Sequence, residues 1–74
     1  MPELVGRITL VQEGRFRLVS AQGRVMLFLL SPQASLEPQD LVPLLQEDGP
    51  VTVHFHQRPG LIAGIAHDVA KVAP

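Results

Sequence analysis

EGRFRLVSAQGRVMLFLL, residues 13–30, is the stretch whose reading decides the fold. Arg15 and Arg17 alternate with Phe16 and Leu18. That period of two places successive side chains on opposite faces of a strand. A strand over residues 15–20 therefore turns Phe16 and Leu18 inward and both arginines outward. Ala21-Gln22-Gly23 breaks the pattern with a short hairpin loop, where Gly23 supplies permissive backbone geometry. A partner strand follows over residues 24–30. It is apolar on both faces, with Met26, Phe28 and Leu30 on one and Val25, Leu27 and Leu29 on the other. Such a strand is central or is covered by something.

Upstream, residues 4–12 are rich in β-branched side chains (Val5, Ile8, Thr9, Val11) and read as a first strand closed by a Glu13-Gly14 turn. Downstream, Pro32, Pro38, Pro43 and Pro50 punctuate a segment of different character. Asp40 is placed to N-cap a short helix over residues 41–46, which keeps Pro43 in the tolerated first turn. Leu41, Leu44 and Leu45 form its apolar stripe, and Asp48-Gly49 ends it. Residues 51–56 alternate, with Val51, Val53 and Phe55 inward and Thr52, His54 and His56 outward. After a turn at residues 57–60, a fifth strand is expected over residues 61–67, with a bulge at Gly64. Residues 69–72 continue it or form a tail. Three strands, a short helix and two strands is the order of a small all-β, OB-fold-like barrel, with an SH3-like barrel as the alternative. Closure would remove the exposed strand edges of so apolar a chain.

Size and composition fit that reading. The 74 residues allow one small domain, residues 1–74, and the apolar fraction of 46% is enough for a core. That core is mostly aliphatic, because the chain has no Trp, no Tyr and three Phe. With no cysteine there is no disulfide and no thiolate metal site, and a reducing compartment is expected. The opening Met1-Pro2-Glu3 lacks the basic and apolar regions of a signal peptide. The longest apolar run is the six residues 25–30, far short of a membrane span. A cytoplasmic location without membrane attachment is the expectation. The net charge of −1 argues against a strong nonspecific nucleic-acid binder, but the charge is unevenly spread. Arg7, Arg15, Arg17 and Arg24 outnumber Glu3 and Glu13 in the first third. Glu37, Asp40, Glu47 and Asp48 stand without a Lys or Arg in the middle.

Several stretches resemble the cold-shock domain, a nucleic-acid-binding OB-fold. Gly6-Arg7-Ile8 is similar to the opening strand of that family. Gly14-Arg15-Phe16-Arg17-Leu18-Val19 occupies the place of its first RNA-binding motif, and Leu27-Phe28-Leu29-Leu30-Ser31 resembles the second. Val53-His54-Phe55 and Ala66-His67-Asp68-Val69 are similar to its later strands. The resemblance implies a barrel that binds single-stranded nucleic acid. It also shows what has changed: Arg15 and Arg17 stand where the family has exposed aromatics, and Leu30 stands where it has histidine.

The expected nucleic-acid-binding residues are accordingly Arg7, Arg15, Arg17 and Arg24, with Phe28 as a residual stacking side chain. Arginine pairs with phosphate bidentately and stacks on bases, so weak, salt-sensitive binding of single-stranded RNA or DNA is the leading expectation. The rival is a protein-interaction or homodimerising module that uses Val25, Leu27 and Leu29. His54 and His56 have a spacing that two metal-binding imidazoles can use. Hairpin counting pairs His56 with Leu61 and His54 with Ala63, which leaves His67 apart, so no metal or cofactor is expected. His67 and Asp68, as neighbours on a strand, are expected on opposite faces. No nucleophile-base spacing or phosphate loop singles itself out, and no enzymatic activity is expected.

Overall fold

The computed structural model describes residues 2–72. Its strands are β1 (Glu3–Gln12), β2 (Arg15–Ser20), β3 (Val25–Leu30), β4 (Val51–His56) and β5 (Gly64–Lys71). A 3-10 turn, Pro38–Asp40, leads into α1 (Leu41–Glu47) between β3 and β4. The strands close into a barrel in the order β1-β2-β3-β5-β4. All pairs are antiparallel except β3 with β5. This is the five-stranded barrel with one short helix that the element order predicts, and it is consistent with the OB type.

The inward period-two residues meet in one core. Ile8, Phe16, Leu18, Phe28, Val51, Val53, Phe55, Ala66 and Val69 are all buried there. The three phenylalanines form its centre: Phe28 stacks on Phe16 at 5.2 Å between ring centres and meets Phe55 edge-on at 5.0 Å. Gly64 pairs with Phe28 across β3 and β5. A Cβ on Gly64 would lie 3.0 Å from the Phe28 ring and 3.1 Å from that of Phe55. This glycine makes room for aromatic packing; it is not a bulge. At Gly6, β1 pairs with both Ser20 of β2 and Val51 of β4. A Cβ there would lie 2.5 Å from the Val19 carbonyl oxygen, so only glycine allows this approach.

α1 lies against β1 and buries Leu41 completely, with Leu44 and Leu45 packed at the core's edge. Burying a leucine contributes roughly 1.5–3 kcal/mol, which is substantial for a chain this small. Asp40 precedes the helix as expected but does not cap it. Its carboxylate accepts a 2.9 Å hydrogen bond from the Glu37 N–H and closes the preceding 3-10 turn. Asp48, in the left-handed region at φ 52°, ends the helix and donates its N–H to the Leu45 carbonyl.

Two β-bulges depart from the expected pattern. In β1, Ile8 pairs with Leu18 and Leu10 with Arg17, so Thr9 has no partner on β2. In β5, Asp68 pairs with His54 and Ala66 with Phe55, so His67 has no partner on β4. Each bulge places two neighbouring residues outward, first Thr9 with Leu10 and then His67 with Asp68. The last strand also begins at Gly64 rather than at residue 61, and β3 begins at Val25. The expected pairing of His56 with Leu61 and His54 with Ala63 is thereby corrected to His56 with Ile65 and His54 with Asp68.

Candidate ligand face of the barrel

The outer surface of β1, β2 and β3 gathers the side chains that the core does not use. Arg15 stands between Gln12 of β1 and Leu29 of β3, and Arg17 between Leu10 and Leu27. Together with Ala63 these two arginines and three leucines line a shallow groove of about 190 Å³. The bulge at Thr9 has two effects here. It turns Leu10 outward, and it sets the Thr9 hydroxyl 2.9 Å from Arg17 Nε, which donates to it. Arg17 is thus tied to β1 through its side chain. Among the described residues, neither Arg15 nor Arg17 has an ion-pair partner.

The face is apolar around these two charges. Leu10 is 43% exposed, Leu27 48% and Val25 58%, and Ile62, next in sequence to the groove residue Ala63, is 91% exposed. α1 packs on β1 and sends Leu41 into the core. Outward placement of Val25 and Leu27 agrees with the alternation of β3. Leu10 was not legible as a member of this face. The adjacent apolar pair Leu10-Val11 was the available signal, since unbroken alternation cannot send both Ile8 and Val11 inward.

Of the other expected ligand residues, Phe28 underlies the same groove but is closed off from its surface, and Arg7 and Arg24 lie elsewhere. Phe28 is 1% exposed within the phenylalanine cluster, so it presents no ring to a base, and its expected stacking role is corrected to a core role. Arg7 lies on a different groove, with Val5, Val19 and Ser20, and its guanidinium is 3.9 Å from Asp48. Arg24 sits at the tip of the β2–β3 hairpin, outside the arginine groove, where its backbone N–H binds the Ser20 hydroxyl. No aromatic ring of Phe, Tyr or Trp remains for the surface, since Phe16 and Phe55 are buried too.

A second polar cluster occupies the outer face of β4 and β5. His54 Nε2 is 2.9 Å from a Glu3 oxygen, and its Nδ1 is 3.9 Å from Asp68. Asp68 accepts a 2.6 Å hydrogen bond from the Ser35 hydroxyl, so the carboxylate and not a histidine adjoins that serine. His56 Nδ1 and His67 Nε2 are in direct contact. His67 is therefore beside His56, and His67 and Asp68 share a face, both against expectation. The three-residue step from Ala66 to Val69, the two inward positions, was the signal for the responsible bulge.

Among the described residues no helix is long and apolar enough to cross a membrane. No protein-family model matches this chain, and comparison with curated proteins and with solved structures returned no match.

Proposed function

We propose that this chain is a small protein-binding module, and that its ligand is an extended polypeptide segment with carboxylates beside aliphatic side chains. The observation that carries the reading is the composition of the β1–β3 face: exposed Leu10 and Leu27 line one groove with Leu29 and two arginines that have no ion-pair partner among the described residues, and exposed Val25 continues the outward row of β3. Apolar surface gathered in one place marks an interaction site more than scattered apolar residues do. Guanidinium groups without a carboxylate partner select for acidic ligands and can hold them bidentately.

The edge of β3 supports an extended ligand. β3 pairs with β5 from Phe28 to Leu30, so residues 25–27 have no ladder partner on that side among the described residues. A peptide lying there would gain main-chain hydrogen bonds as an added strand, with alternate side chains on the apolar face. The likeness to the cold-shock domain supports the barrel. It supports nucleic-acid binding less, because base stacking, at roughly 1–3 kcal/mol per base, requires exposed rings. Nucleic acid stays the second reading on the strength of Arg15 and Arg17 alone. A cytoplasmic location accords with the absence of cysteine.

The test is calorimetry with a synthetic peptide of alternating Val and Asp, and with a mixed-sequence single-stranded oligonucleotide, at low and moderate salt. Peptide binding that falls only a few-fold with salt, and is lost in Leu27→Ser, is the expected result. Oligonucleotide binding that falls steeply with salt and is lost in Arg15→Ala/Arg17→Ala would replace this reading with the nucleic-acid one. Concentration-dependent dimers abolished by Leu27→Ser would assign the face to a second copy of the chain.

A further inference from the structure

We propose that His56 and His67 form a two-imidazole site for a divalent late first-row transition metal, on the outer face of β4 and β5 and separate from the peptide-binding face. The argument begins at the bulge. Without the extra residue in β5, Ala66 would be followed by one outward position before Val69. With it, His67 projects outward beside His56. The two ring centres are 4.5 Å apart with planes inclined by 21°, and His56 Nδ1 meets His67 Nε2. Rings this far apart at their centres and touching through nitrogens meet edge to edge. The two nitrogens face each other across that contact.

That arrangement has two chemical uses. In the metal-free pair one nitrogen carries a hydrogen and the other accepts it. On metal binding both facing nitrogens become ligands, and the ring that was the donor carries its hydrogen on its remote nitrogen instead. Neutral imidazole is the preferred ligand of Cu²⁺, Ni²⁺ and Zn²⁺, with Cu²⁺ bound most tightly. Metal–nitrogen bonds of roughly 2.0–2.1 Å require the nitrogens to part. Both side chains are only half-buried on an open face, so rotation about their side-chain bonds accommodates this. The backbone ladder on either side of the bulge holds the two residues together before any metal arrives. Asp68, held by the Ser35 hydroxyl, and Glu3, beside His54, place negative charge along the same face. Among the described residues no third histidine or carboxylate joins the pair around one point, so water completes the coordination and the metal exchanges readily.

The test is a Zn²⁺ titration of the whole chain at neutral pH, followed through the imidazole nitrogen resonances. The expected result is saturable one-to-one binding that moves His56 Nδ1 and His67 Nε2 and leaves the His54 nitrogens nearly in place. His56→Ala and His67→Ala should each weaken binding by at least tenfold, and His54→Ala should leave it within about twofold, the scale of a lost ligand against an uninvolved residue. Nitrogen hyperfine structure from two imidazoles in the Cu²⁺ spectrum gives a second readout on the unaltered chain. A response centred on His54, affinity unchanged in His67→Ala, or no saturable response at millimolar Zn²⁺ would each overturn the proposal.

Discussion

Single residues in this barrel are constrained by what lies against them more than by their own propensities. Gly6 is the sharpest case. A methyl group there would press on the Val19 carbonyl at 2.5 Å, and backbone cannot yield as a flexible side chain can. Gly6→Ala should destabilise the chain by about 1–3 kcal/mol, the range of overpacked sites, measured by urea denaturation. An unchanged midpoint would mean that β1 does not approach β2 so closely. Phe28 teaches the opposite lesson about legibility. Its position in a strand apolar on both faces left its side ambiguous, and only the partners Phe16, Phe55 and Gly64 resolve it as core. Those partners lie far apart in sequence, where pattern reading has no reach.

At the scale of elements, strands were legible because burial imposes a period of two, and β2, β4 and most of β3 follow it without interruption. The helix was legible from its leucines and from the proline in its first turn. The bulges were not, because an added residue keeps composition and propensity unchanged and alters only the phase of the pattern. The fifth strand was misplaced for a related reason. A tight turn was assumed after His56, whereas the connection runs over residues 57–63, with Gly60 at φ 83°, before β5 begins. The bulge account makes a distinctive prediction. Deleting His67 leaves Ala66 and Val69 inward with one outward residue between them, so a cooperative thermal unfolding transition should persist. Deleting Thr52 instead puts Val51 and Val53 on opposite faces of β4, and cooperative folding should be lost. Equal loss in both deletions would show that His67 is not the supernumerary residue.

At the scale of the whole molecule, the barrel separates its surfaces by chemistry. The β1–β3 face is aliphatic with two arginines that have no ion-pair partner among the described residues, the β4–β5 face carries the histidines and carboxylates, and the acidic residues Glu37, Asp40, Glu47 and Asp48 lie on and around α1. Closure satisfies most strand edges; residues 25–27 of β3, paired with β2, have no ladder partner among the described residues on the β5 side, beside the aliphatic face. The coincidence of an open strand edge, exposed aliphatics and guanidinium groups without ion pairs is the basis of the proposal that the ligand is an acidic, extended polypeptide. Amide-resolved NMR with the alternating Val-Asp peptide tests this most directly. The predicted result is a set of shifts confined to residues 9–19, 25–29 and 61–63, with new hydrogen-exchange protection at Val25 and Leu27. Shifts centred on β4 and β5, or none on β3 while an oligonucleotide perturbs Arg15 and Arg17, would contradict it.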